Sequence, residues 1–138
     1  MLNLRWPGRK AGRQLDEWEI YLTDDVRDWV AALDERSHKL VAQAIDILAD
    51  RGPSLGRPMV DHVEYSTVQN LKELRPGSAG RSEVRILFVF DPWRSAILLV
   101  AGDKAGNWQQ WYRHAIPRAE QLLEIYLKER AGEEERGR

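Results

Sequence analysis

The stretch from Leu71 to Arg118 constrains the fold most. Three β-type runs follow one another across short turns, and a segment rich in Trp, Tyr, Arg and His comes directly behind them. Asn70–Arg75 reads as a strand, Pro76-Gly77-Ser78-Ala79-Gly80 as a turn, and Glu83–Phe90 as a strongly β-prone strand. Asp91-Pro92-Trp93-Arg94 then turns the chain into Ser95–Ala101. Strands joined this closely pair as an antiparallel meander. Within residues 71–118 eight basic groups stand against four acidic ones, although the whole chain carries a formal charge of −1. A sheet end that is basic and aromatic suits a polyanion better than an apolar metabolite.

Upstream of the meander the hydrophobic period changes. Residues 1–14 lack periodicity, hold Pro7, Gly8 and Gly12, and read as a flexible arm with four basic groups. Trp18–Leu22 suits a strand, ending at Thr23-Asp24, which can cap a helix. Val26, Trp29, Val30 and Leu33 repeat at helical spacing, as do Val41, Ala44, Ile45 and Leu48 in a second helix that Ser37 can cap and Gly52-Pro53 stops. Residues 52–69 show no clean period and read as a long surface connection. Pro117 fits the first turn of a last helix running to about Lys128, and residues 131–138 read as a charged tail that frays. The expected architecture is α+β, in the order β-α-α-β-β-β-α, with one small antiparallel sheet covered by helices on one face. A single domain would span 15–130.

The totals exclude several classes. With 138 residues, 43% hydrophobic and 31% charged, the chain is expected to be one globular domain. No apolar run approaches the roughly 20 residues that cross a bilayer, and the first residues carry no apolar h-region of a secretory signal. Cysteine is absent, which fits a reducing cytoplasm. HExxH, GxxxxGK[ST], GxGxxG and GxSxG are all missing, and His38, His62 and His114 lack ligand spacing, so neither metal nor cofactor is expected.

What chemistry remains lies on the meander. Strand alternation puts Arg75 on the face of Glu73 and Leu71, with Lys72 and Leu74 opposite, and puts Arg85 on the face of Leu87 and Val89. Lys104 follows the last strand, so Arg75, Arg85 and Lys104 can converge. Such a set can run phosphodiester cleavage on RNA, which brings its own 2′-OH nucleophile. The protein then positions the backbone, stabilises charge on the phosphorane and moves protons. Tyr112 or His114 are the acid–base candidates. Lys72, Arg81, Trp108 and Arg113 are candidates for holding the strand. Each has a plainer reading: Arg85 as a solvated charge or a partner for Glu83 or Glu73, Trp108 and Trp111 as packing, His114 as a local cap. Trp18 and Trp29 are expected in the core. Composition alone leaves the choice open.

The order of short motifs adds to this. LKELR at Leu71–Arg75, VRILFVFDP at Val84–Pro92, AILLVAGDK ending at Lys104 and AIPRAEQLLEIYL at 115–127 resemble the RelE/ParE superfamily of bacterial toxins, in its HigB-like, phage-derived branch. The resemblance covers about residues 16–130 and rests on Glu73, Leu74, Arg75, Arg85, Ile86, Lys104, Pro117, Ala119 and Tyr126. It implies a RelE-like fold and the toxin of a type II toxin–antitoxin system. That toxin would be a metal-independent, cytoplasmic endoribonuclease cutting mRNA, commonly on the ribosome. The implied partner is a helix-turn-helix antitoxin, in a hetero-oligomer. Carried over, Arg75, Arg85 and Lys104 would hold the scissile phosphate, and Tyr112 or His114 would move the proton. The alternatives within the resemblance are a non-catalytic, antitoxin-binding relative and a ParE-type gyrase inhibitor.

Overall fold

Side chains on a strand alternate between two faces, and in this chain helices cover both. The computed structural model describes residues 4–7, 17–77 and 82–136. Its elements are β1 (Leu4–Arg5), β2 (Glu19–Leu22), α1 (Asp24–Ala31), α2 (Glu35–Arg51), β3 (Val60–His62), β4 (Lys72–Leu74), β5 (Val84–Phe90), β6 (Ser95–Asp103) and α3 (Trp108–Arg136). The described strands form one sheet in the order β1-β2-β6-β5-β4-β3. The α+β class and the β4–β5–β6 meander agree with the sequence reading.

Three expectations about the sheet and its layers change. The sheet is mixed rather than antiparallel throughout, because the chain leaves β2, passes through the α1–α2 hairpin, and returns so that β6 lies parallel beside β2. The helices lie on two faces rather than one. Ile86 and Phe88 pack with Val26, Val41, Ile45 and Leu48 of α1 and α2. Leu87 and Val89 pack with Ala115, Ala119, Leu122 and Tyr126 of α3. A strand apolar at every position from Ile86 to Val89 is stable only when both faces are covered. The third change is β3, which lies inside the expected surface connection and pairs antiparallel with β4, setting Asp61 beside Glu73.

Local chemistry explains the boundaries. Thr23 caps α1 as expected, its hydroxyl accepting from Val26 N and donating to Leu99 O. Asp34, not Ser37, caps α2; its carboxylate accepts from Ser37 N at 2.8 Å. Helix α3 begins at Trp108, nine residues before Pro117, which lies inside it on an exposed side. The proline removes one backbone donor, and the apolar contacts of Ala115, Ala119 and Leu122 with the sheet carry the helix across the gap. The helix also continues to Arg136, into the segment expected to fray, while Leu4–Arg5 of the expected arm pair with Leu22 and Tyr21. Trp18 and Trp29 are partly buried at the core's edge. No helix among the described residues is long and apolar enough to cross a membrane.

Candidate active-site cleft

The cleft is built around a carboxylate that sequence reading treated as a motif letter. Glu73, central in β4, is 3% exposed. Its Oε2 accepts from Arg75 Nε at 2.7 Å, and the same guanidinium reaches Asp61 at 3.1 Å. Its Oε1 accepts from the Tyr112 phenol at 2.5 Å, which ties α3 to the sheet. Arg85, on the same face, donates from Nη1 to Val84 O, and its Nε lies 3.7 Å from Glu73 Oε2. That Nε is buried and has no hydrogen-bond partner among the described residues. The Glu73 carboxylate pairs with this guanidinium as an ion pair at that distance, as one plainer reading of Arg85 expected.

Lys104 completes the set. It follows β6 in a turn that Asp103 organises by accepting from Glu83 N and Ala105 N, both at 2.9 Å. The Lys104 ammonium lies 5.6 Å from the centre of the Tyr112 ring. The close approach of α3 depends on Gly102, because an added Cβ there would stand 2.2 Å from Trp111 Nε1. Trp111 therefore packs, as its plainer reading held, and meets the Tyr112 ring edge-on at 5.0 Å.

The electrostatics follow from burial and pairing. Burial and the bond to Glu73 hold the Tyr112 phenol well above its ordinary pKa, so it keeps its proton at neutral pH. For Arg75, partial burial disfavours the charge, but the Glu73 hydrogen bond and the charges of Glu73 and Asp61 together outweigh it and the pKa rises. Asp61 is held low, first by a hydrogen bond from His62 N and then by Arg75 and Arg57.

Beside this set a cleft of about 560 Å³ opens between α3 and the loop after β3. Glu73, Arg75 and Tyr112 line its base, with Trp108 and Arg113 on the helix side and Tyr65 on the loop side. Thus Arg75, Arg85 and Lys104 are gathered around the Tyr112–Glu73 pair; Arg75 and Tyr112 line the cleft with Trp108 and Arg113, while Arg85 and Lys104 are not among its lining residues. Two candidates lie apart from both. His114 lies two residues beyond Tyr112, about 200° around the helix; it is exposed, with Nδ1 3.0 Å from Gln110 O, and does not line the cleft. Lys72 shares its face with Leu74 and Phe88, on the α1–α2 side of the sheet. Arg81 lies outside the described residues.

Sequence reading passed over Glu73 as a structural hub, Asp61 and Tyr65. It also passed over Glu120, whose Oε2 accepts from Ser66 Oγ, Thr67 N and Thr67 Oγ1 at 2.7–2.9 Å and pins the 65–67 loop to α3. Alternation already put Glu73 with Arg75; the loop contact joins positions 54 apart and has no local signature.

Comparison with known proteins bears on the same region. The family described as "Phage derived protein Gp49-like (DUF891)" matches residues 28–124. Two similar proteins come from Mycobacterium tuberculosis. "Putative toxin HigB2" is 54% identical over 99 residues, 72% of this chain and 49% of that protein. "Putative toxin HigB3" is 51% identical over 113 residues, 82% of this chain and 96% of that protein. The chain therefore spans about half the length of the first relative and nearly all of the second.

Proposed function

The chain belongs to the phage-derived Gp49-like family, and from that premise we propose that it is the toxin of a type II toxin–antitoxin system, acting as a metal-independent endoribonuclease on mRNA. The observation that carries this reading is the convergence of Arg75, Arg85 and Lys104 around the Tyr112–Glu73 pair. The names of its half-identical relatives support the toxin role.

In this mechanism a scissile phosphate sits against Arg85 and Lys104, whose charges meet the phosphorane oxygens. The 2′-oxygen attacks phosphorus in line and the bond to the 5′-oxygen breaks. Because Tyr112 holds its proton at neutral pH, it works as a relay rather than as a preformed phenolate. Its oxygen takes the 2′-OH proton as its own proton passes to Glu73 Oε1. The departing 5′-oxygen takes a proton from solvent at the cleft mouth. The products are a 2′,3′-cyclic phosphate and a 5′-OH. The ribosome would hold the mRNA in line, and a helix-turn-helix antitoxin would silence the toxin in a hetero-oligomeric complex in the cytoplasm.

Induced expression in bacteria tests this. Wild-type protein is expected to arrest growth and to leave new 5′-OH ends in mRNA, and Arg85→Ala with Lys104→Ala to relieve both while the protein stays folded. Unimpaired growth with abundant folded wild-type protein would sink the reading. One observation favours a second reading, that of a non-catalytic antitoxin binder: Arg75 is already held by two carboxylates. That reading expects tight antitoxin binding and intact mRNA, even with ribosomes present.

A further inference from the structure

Tyr65 is the most conspicuous side chain that the reaction above does not use. It is 95% exposed, an extreme value for a tyrosine, yet it lines the cleft that holds Arg75 and Tyr112. Its backbone is left-handed, with φ of 66°, a conformation that bulky residues rarely adopt. Strain of this kind persists where the surroundings enforce it and collects at ligand-handling sites. Here the enforcement is visible. Glu120 of α3 accepts three hydrogen bonds from Ser66 and Thr67, directly after Tyr65, and Val68 N donates to Ser66 Oγ. The Glu120 carboxyl is held below its ordinary pKa by those hydrogen bonds, which outweigh its partial burial, so the clasp is charged at neutral pH. Trp108, 56% exposed, lines the same cleft from the helix side.

We propose that Tyr65, held out by the Glu120 clasp, and Trp108 form the aromatic rim that stacks an unpaired base of the bound strand, making Tyr65 a substrate-binding residue. The proposal rests on the RNase reading for the identity of the strand. A single strand offers alternating phosphates and base faces. A cleft lined by Arg75 and Arg113, with Glu64 and Glu73 also in its walls and two exposed rings at its rim, matches that alternation. An apolar small molecule would find charged walls, and a duplex would keep its bases stacked out of reach. The clasp matters because a ring whose loop is already fixed loses less freedom on stacking than one on a free loop. Glu120 is thus a positioning residue.

The test uses fluorescence anisotropy with labelled hexanucleotide RNAs carrying a 2′-deoxy at the cleavage position, so that binding is read without cleavage. One RNA has all its bases, and its twin has none. Tyr65→Ala is expected to weaken the complete strand about 5- to 150-fold, the range of one lost stack, and to leave the abasic strand unchanged. Tyr65→Phe, which keeps the ring, is expected to bind both as wild type does. Glu120→Ala should cost part of the same factor, and the double variant no more than Tyr65→Ala alone. Equal losses on both strands, or wild-type protein that does not distinguish them, would overturn the stacking role. Base-dependent binding with no mRNA cleavage in growing cells would retain the rim and reject the RNase reading, so the two failures are separable.

Discussion

The Tyr112 phenol donates to Glu73 Oε1 at 2.5 Å, and this bond fixes the first turns of α3 against the centre of β4. The same carboxylate holds Arg75 through Oε2, so one buried acid orients both a phenol and a guanidinium. Arginines facing solvent sample many rotamers, whereas Arg75 is held by Glu73 and Asp61 before any ligand arrives. Structure and proposed chemistry thus meet at Glu73, which touches no phosphate itself.

Tyr112→Phe separates the two roles of that bond. The ring still fits against Trp111 and beneath the Lys104 ammonium, but Glu73 Oε1 loses its partner. A lost hydrogen bond to a charged group costs about 1–3 kcal/mol, which denaturant unfolding will measure. If the phenol relays the proton, mRNA cleavage by the folded variant should fall by about 10²- to 10⁴-fold. A variant that cleaves normally would remove Tyr112 from the chemistry.

Glu73→Ala and Glu73→Gln make a graded pair. Alanine strands the Arg75 and Arg85 charges, whose side chains are 30% and 15% exposed, without their shared acid. Removing one partner of a largely buried ionic cluster costs about 3–5 kcal/mol. Glutamine keeps an acceptor and the volume, so it should unfold at clearly higher denaturant than alanine. Yet it cannot take the relayed proton and should remain inactive. Equal stability of the two variants would show that Glu73 is not the hub of the cluster.

Where these residues could be read from sequence, the reason is periodic. Val26 and Val30, and Val41, Ala44, Ile45 and Leu48, repeat at helical spacing and are buried as that spacing requires. Arg75 and Arg85 follow from strand alternation. The choice between Tyr112 and His114 stays open in the sequence because taking Pro117 as the first turn leaves residues 108–114 without a phase. Once α3 begins at Trp108, Tyr112 and His114 face apart. The strand β3 has a single core residue, Val60, among its three and gives no pattern to find. Coverage of both faces was legible in principle, since Ile86–Val89 leaves no polar side for water. The Glu120 clasp and the presentation of Tyr65 arise only when α3 and the loop meet in space.

Gly102→Ala tests the approach of α3 to the sheet. The new methyl would meet the Trp111 ring, and the tryptophan must move with Tyr112 next to it. Overpacking of this kind costs about 1–3 kcal/mol and should also lower cleavage, because it shifts the phenol away from Glu73. Pairing it with Trp111→Leu should return part of the stability in thermal unfolding. If Gly102→Ala unfolds and cleaves as wild type does, the contact does not set the position of the helix.

Alkaline pH should weaken the fold through two phenols. Tyr112 bonds Glu73, and Tyr126 donates to Asp91 Oδ2 at 2.7 Å; burial, and then the neighbouring carboxylate, raises both above the ordinary value of 10.0. The folded state therefore keeps protons that the unfolded chain gives up from about pH 10. The stabilisation is complete below that pH and is lost as pH rises through the folded-state values. Denaturant midpoints of wild-type protein should be flat through neutrality and fall steeply above pH 10. A Tyr112→Phe, Tyr126→Phe double variant should be less stable at neutral pH but show a shallower alkaline fall, because it lacks two of the groups responsible. Parallel alkaline curves for the two proteins would mean that neither phenol holds its proton against the unfolded chain, and the relay proposed for Tyr112 would lose its basis.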